Sequence, residues 1–341
     1  MIKRKNSKTV SGNLQVLYAK NLRKSYAGRL ALRGLSFGLY AGRILGFLGP
    51  NGAGKTTAIR ILTTILEPDS GSFRVAGISS KFPEKIRQII GVLPESLGFP
   101  KNITALEYLI YYSQLYGKNT TEAKSLALNL LAEVGLEQRA KSLIGSFSRG
   151  MRQRLGIARA LVNNPMVVFL DEPTLGLDPR GQKELLEMIA NIAHTRKAGV
   201  ILCSHDLPEV ETVCDDVVIL KLGRVIAKGA VSDVIGKSVS GKGGYVQGNG
   251  VRIQVQPTSV NKAKKVLAKL SSVSKVISSS DRSGWLGVEI NRLTNRKTKE
   301  YSYLNNKILS ALINAKIPII SLEGGGGRLQ DVFLQLTESP N

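Results

Sequence analysis

The segment from Arg43 to Leu66, RILGFLGPNGAGKTTAIRILTTIL, constrains the fold more than any other part of the chain. Ile44 to Leu48 is a short apolar run that reads as a buried strand, and apolar residues at helical spacing follow Thr57. Between them GPNGAGKT matches G-x-x-x-x-G-K-[ST] at Gly49, Gly54, Lys55 and Thr56. Glycines let the backbone curl until its N–H groups face a phosphate, and the start of the next helix adds partial positive charge. In that frame Pro50, Asn51, Gly52 and Ala53 line a phosphate loop and Thr57 follows it. Lys55 reaches the β- and γ-phosphates, and Thr56 ligates Mg²⁺. Two decoys show how specific the match is. Gly236-Lys237-Ser238 has Val231 where the motif needs glycine, and GGGG at 324–327 has no lysine.

Downstream, MVVFLDEPTLGLDP runs an apolar stretch into Asp171-Glu172, the pattern of a buried parallel strand delivering carboxylates at its end. Neighbouring strand residues point to opposite sides, so the pair divides the work. Asp171 is expected to hold Mg²⁺, directly or through water, and Glu172 to polarise the water that attacks a γ-phosphate. A second apolar run, Val200 to Cys203, leads into Ser204-His205-Asp206. Of the two histidines, His194 falls in a polar helical stretch and reads as surface. His205, at a strand end, is placed to hydrogen-bond a γ-phosphate oxygen.

GPNGAGKTT, SFSRGMRQRLGIARAL, FLDEPTLGLDP and SHD, in that order and spacing, resemble the ATP-binding subunit of ABC transporters over residues 15–235. The resemblance implies an α/β P-loop ATPase domain with a parallel core sheet, an antiparallel β subdomain and a helical subdomain. It implies ATP and Mg²⁺ as cofactors, and a nucleotide-sandwich homodimer or a pair with a closely related ATPase subunit. It also implies a separate integral-membrane permease, and a peripheral place on the cytoplasmic face of the membrane.

Individual positions carry over with it. Ser148 and Gly150 match the signature residues that contact the γ-phosphate held by the second subunit. Arg149 and Met151 stand where the commonest form has glycine and glutamine, a variant that resembles drug-resistance and sodium-efflux exporters. Tyr26 looks like the aromatic that stacks on adenine, and Asp178 matches the loop linking the two sites of the dimer. Glu95, in IGVLPES, occupies the place of a glutamine that senses Mg²⁺ and couples to the permease, and its carboxylate can ligate the metal. The helical subdomain is expected between Gly98 and Ala140, with caps at Thr104 and Thr121. In the family its groove receives a permease helix.

The formal charge is +23, and no acidic residue precedes Glu67. Such a field attracts nucleic acid, anionic lipid or an acidic protein alike. An ABC ATPase acting on DNA or ribosomes is the alternative reading. Chromosome-structural members place long coiled coils between the phosphate loop and the signature, and the interval from Lys55 to Ser148 leaves no room for them. Translation-factor members usually carry two cassettes. Nucleic acid is therefore not expected as a partner, whereas anionic lipid fits the basic amino-terminal part. The joint presence of Lys55, Asp171, Glu172 and His205 argues against a catalytically silent module. No apolar run reaches membrane-spanning length, and the amino terminus lacks the apolar core of a signal peptide. Cys203 and Cys214 lack metal or redox spacing and are expected as free thiols.

The expected organisation is a disordered basic tail over 1–14, the ATPase domain over 15–235, a linker over 236–250 and an accessory domain over 251–341. In the last, strand and helix patterns alternate as βαββαβ, which suggests a small α+β ferredoxin-like fold. It resembles the carboxy-terminal extension of exporter-type ATP-binding subunits, and a dimerising or regulatory role is expected of it.

Overall fold

A computed structural model describes residues 14–238, 250–278, 284–290, 298–324 and 329–338. Residues 1–13 of the expected tail and 239–249 of the expected linker lie outside them. The chain divides into two compact units, Met1–Gly229 and Ala230–Asn341. The helix Val231–Ser238 thus falls in the second unit and overlaps the segment expected to be linker.

The first unit opens with antiparallel strands β1 (Gln15–Tyr26) and β2 (Arg29–Tyr40). The apolar run forms β3 (Ile44–Leu48), and the helix after the glycine loop is α1 (Lys55–Leu62). β4 (Ser70–Val75), β5 (Ile78–Ser79), α2 (Pro83–Arg87) and β6 (Ile90–Leu93) lead into a helical insertion, α3 (Ala105–Leu115) and α4 (Thr120–Glu133). α5 (Arg149–Ala160) returns the chain to β7 (Val167–Asp171). There follow α6 (Pro179–Arg196), β8 (Gly199–Cys203), α7 (Leu207–Val213), β9 (Asp216–Lys221) and β10 (Arg224–Ala230).

These strands form two sheets. One is antiparallel, in the order β2-β1-β4-β5, and the other is six-stranded, β10-β9-β3-β8-β7-β6. In the second, β9, β3, β8, β7 and β6 run parallel. β3 and β8 are buried along their whole length, as parallel strands covered on both faces must be. The sheets share a core in which Phe37 of β2 meets Phe47 of β3 edge-on, with ring centroids 5.0 Å apart.

In the insertion, Thr104 caps α3 as expected, and Glu107 completes a reciprocal capping box. The expected Thr121 cap is corrected. Asn119 caps α4, its side chain accepting from Glu122 N at 2.9 Å, while Thr121 lies inside the first turn. Asparagine and threonine both suit a cap, and the returning Glu122 carboxylate fixes which one serves.

The second unit contains α8 (Val231–Ser238), β11 (Gly250–Val255), α9 (Val260–Leu267), β12 (Val273–Ser278), β13 (Trp285–Ile290), α10 (Thr298–Asn314), β14 (Ile319–Gly324) and α11 (Leu329–Glu338). Its antiparallel sheet has the order β12-β13-β11-β14. With α9 and α10 as crossovers, this is the ferredoxin-like arrangement. Val251, Ile253, Leu267, Val288, Ile308 and Leu312 lie in its core. Cys203 and Cys214 are free and buried. No helix among the described residues is long and apolar enough to cross a membrane.

α5, which begins at the SRGM segment, ends against the backbone of β6. A Cβ placed on Gly91 would overlap the Ala160 carbonyl oxygen. Backbone cannot swing aside, so overpacking here should cost about 1–3 kcal/mol. Gly91→Ala is expected to lower the midpoint of chemical denaturation accordingly.

Candidate active site

Parallel pairing aligns the carboxyl ends of four strands. Phe47 of β3 and Asp171 of β7 both lie level with Cys203 of β8, and Leu93 of β6 is level with Leu170. The glycine loop leaves β3, Glu172 leaves β7, Ser204-His205 leaves β8 and Glu95 follows β6, so these motifs open on one sheet edge.

Within the loop, Gly54 has φ 106°, and a Cβ on it would lie 2.6 Å from the Ala31 carbonyl oxygen. Only glycine fits there. Gly54 is also the N-cap of α1 and brings no side chain to the helix start, which leaves its first N–H groups available to an anion. The Lys55 ammonium donates to the carbonyls of Gly49 at 2.5 Å and Pro50 at 3.4 Å. Thr56 is exposed in the first turn.

β7 ends at Asp171, and Glu172 turns into the left-handed region with φ 49°, its N–H donating to Cys203 O at 2.9 Å. A non-glycine residue held there costs about 1–3 kcal/mol and is characteristic of functional sites. This turn, rather than the strand alternation expected, separates the surroundings of the two carboxylates. Glu172 Oε2 lies 2.8 Å from His205 Nδ1, with the Glu172 side chain 16% and the His205 side chain 65% exposed. Burial raises the proton affinity of Asp171, Glu172 and Glu95 add to the effect, and Lys55 and Arg60 oppose it.

A second group of expected residues lies elsewhere on the surface. Ser148 is the N-cap of α5 and accepts from Met151 N at 3.2 Å, which leaves its own hydroxyl proton free to be donated. A Cβ on Gly176 would fall 2.6 Å from Arg149 Cζ, and one on Gly150 would lie 3.6 Å from Leu177, so this helix start packs on the segment preceding Asp178. Asp178 is exposed, and its side chain makes no capping bond. Tyr26 is 45% exposed and pairs with Arg29 across the β1–β2 turn. Among the described residues, none of Ser148, Asp178 and Tyr26 is hydrogen-bonded to the glycine loop.

Beside Glu95 lies a cavity of about 370 Å³, lined by Leu97, Phe99, Lys101, Arg149 and Arg152 among others. Gln153 on its wall is buried, with Oε1 unpartnered. Further along α5, Arg159 donates to the Tyr108 hydroxyl at 3.0 Å and stacks over Phe99 and Tyr112. Burial pushes the Tyr108 hydroxyl up to about 12 against the opposing pull of Arg159.

One polar knot at the site carries no distinctive sequence signal. Glu209 is 6% exposed, and its Oε2 accepts from Thr174 Oγ1 at 2.8 Å and from Ser204 Oγ at 2.9 Å. The only local signal was Asp206-x-x-Glu209, which reads as an ordinary helix start.

Residues 32–175 match the family described as ABC transporter. The chain is 32% identical over 323 residues to the linearmycin resistance ATP-binding protein LnrL of Bacillus subtilis (strain 168), covering 94% of this chain and 98% of that protein. It is 37% identical over 213 residues to the Nod factor export ATP-binding protein I of Burkholderia orbicola (strain AU 1054), covering 62% and 69%. A solved dimeric structure of the ATP-binding cassette MJ0796, in a post-hydrolysis state bound to ADP and Pi, superposes with a TM-score of 0.57 at 25% identity, covering 63% of this chain and 98% of that one.

The raised proton affinity of Asp171 has a sign that can be tested. Its folded form binds a proton more tightly than its unfolded form, so its contribution is favourable below the unfolded carboxylate range, near 3.9, and lost as pH rises past the folded value. Asp171→Asn is therefore expected to raise the thermal midpoint of the nucleotide-free protein at neutral pH. Melting curves across pH should show that gain shrinking toward pH of about 4.

Proposed function

Because the chain belongs to the ATP-binding proteins of the ABC transporter family, we propose that it is the ATP-hydrolysing subunit of an exporter. In this reading two copies, or this chain and a close relative, sandwich nucleotide on the cytoplasmic face of the membrane and drive a separate integral-membrane permease. The observation that carries the reading is the alignment of Lys55, Asp171, Glu172 and His205 at the ends of three adjacent parallel strands.

Adenine stacks on Tyr26, and the loop N–H groups from Gly49 to Thr57 with the Lys55 ammonium cradle the phosphates. Glu172 takes a proton from a water whose oxygen bonds to the γ-phosphorus. The bond from that phosphorus to the β–γ bridging oxygen breaks, giving ADP and inorganic phosphate. His205 holds Glu172 through Nδ1 and presents its other ring nitrogen to a γ-phosphate oxygen. Thr56, Asp171 and Glu95 are hard oxygen donors of the kind Mg²⁺ prefers, and a half-buried carboxylate crowded by two others suits a cation. Among the described residues no three His, Cys, Asp or Glu side chains converge as a metal cage. When bound, it neutralises charge developing on the phosphates.

The exposed Ser148 hydroxyl and the backbone at Gly150 would face the γ-phosphate on the second copy, with Asp178 bridging the two sites. Nucleotide then favours the closed pair through contacts absent when the pair is open. The cavity beside Glu95 suits the docking of a permease segment, since its walls join the β6 end to the start of α5. The relatives named for linearmycin resistance and Nod factor export support the outward direction.

Glu172→Gln should lower kcat for ATP hydrolysis by about 10²–10⁴-fold while ATP is still bound. Affinity capture of the tagged chain from detergent-solubilised native membranes should recover a multi-span protein in near-equal amount. Recovery with ribosomes or DNA alone, or undiminished turnover in Glu172→Gln, would overturn the proposal.

A further inference from the structure

Glu209 is joined to both catalytic segments at once. Thr174 lies two positions after Glu172 in the chain, and Ser204 immediately precedes His205. Their hydroxyls donate to the same oxygen, Glu209 Oε2, at 2.8 and 2.9 Å. The carboxylate is thus a clamp between the segment leaving β7 and the segment leaving β8.

A helix-capping role does not account for this arrangement. In a capping box the glutamate would reach back to the N–H of Asp206. Here that N–H donates to Ser204 Oγ at 3.0 Å, while Asp206 Oδ1 accepts from Glu209 N at 3.3 Å. The Glu209 side chain is turned inward instead and is 6% exposed, with Oε1 buried and unpartnered. Burial disfavours its charged form, and the Thr174 and Ser204 hydroxyls partly offset that. An incompletely satisfied buried carboxylate is kept at a cost that a helix start on the surface does not require.

We infer that Glu209 is a positioning residue for hydrolysis: by holding Thr174 and Ser204 on one oxygen, it sets the distance between Glu172 and His205. The inference rests on the proposed roles of those two residues. The strands alone do not set that distance, because Glu172 has left the strand with φ 49° and His205 lies beyond the end of β8. Each belongs to a short loop, and the described bonds joining the loops are the Glu172 N–H to Cys203 bond, the Glu172–His205 contact itself and the Glu209 clamp.

The test compares Glu209→Ala, Glu209→Gln and Thr174→Val with wild type in the full-length protein. ATPase kinetics, thermal midpoints and imidazole nitrogen resonances would be measured with isotope-labelled histidine. With two histidines in the chain, His194 serves as internal control. Misplacing a catalytic group by about 1 Å can cost on the order of 10²-fold in rate. Glu209→Ala is therefore expected to lower kcat by tenfold or more with little change in KM for ATP. His205 resonances should shift while those of His194 stay. Glu209→Gln, which keeps an acceptor for both hydroxyls, should recover most of the rate, and Thr174→Val should fall between.

Unchanged kcat and His205 resonances in Glu209→Ala would overturn the inference. So would equal losses in Glu209→Ala and Glu209→Gln that track thermal midpoint and also move His194, since that pattern describes core packing alone. If wild type hydrolyses no ATP yet the His205 resonances still follow Glu209, the catalytic reading fails while the clamp stands.

Discussion

Everything proposed for this chain depends on the parallel register of β3, β8, β7 and β6. A parallel strand cannot choose its edge by side-chain alternation, because both faces are buried and the strand is apolar throughout. The register is carried by backbone bonding and by where each apolar run stops. In β7 and β8 the runs stop level with one another, at Asp171 and Cys203. One residue of slip would carry the Glu172 N–H away from Cys203 O and separate the carboxylate from His205. The geometry proposed for catalysis therefore rests on backbone hydrogen bonds rather than on side-chain alternation.

Net charge proves a weaker guide than local charge. The chain's +23 is weighted toward its amino-terminal part, where no acidic residue precedes Glu67, and some of its cations have internal partners: Lys24 meets Asp69 at 2.8 Å and Arg43 meets Asp216 at 2.7 Å. At the sheet edge the balance is reversed. Glu172 and Glu95 both disfavour the charged form of Asp171, which Lys55 favours. A basic protein thus presents an acidic cluster beside its anion-binding loop, which suits a ligand that arrives as a complex of phosphate and a cation. The long-range field can speed the encounter with anions in general.

Much of this was legible in the sequence, and the reason is that the legible parts are local. The strand, glycine loop and helix occupy contiguous residues, and so do the runs that become β7 and β8. Turn chemistry was legible only in part: Thr104 was recognisable as a cap, whereas Asn119 and Thr121 differ in what Glu122 does, which spacing alone does not state. The left-handed turn at Glu172 was hidden because nothing in LDEPT requires a non-glycine residue to leave the strand there. The Glu209 clamp was hidden for a different reason. It joins residues from two strands whose separation is set by the sheet, and Asp206-x-x-Glu209 offered a complete local explanation for the same glutamate.

The place of α5 shows how such non-local contacts could convey a signal. Its first turn carries Ser148 and sets Arg149 against Gly176, on the segment leading to Asp178. Its amino-terminal half lines the cavity beside Glu95, through Arg149, Arg152 and Gln153. Its last turns hold Arg159 among Phe99, Tyr108 and Tyr112, and press Ala160 against Gly91 of β6. A helix is stiff along its axis, so a displacement at the cavity has to be taken up at both ends. The carboxy-terminal end is blocked by backbone on β6, where Gly91 leaves no slack. The amino-terminal end meets Gly176 through its own flexible Arg149 side chain and Leu177 through Gly150. Movement imposed from the cavity would therefore appear at Ser148 and the 174–178 segment, and Thr174 of that segment is tied through Glu209 to the residue preceding His205.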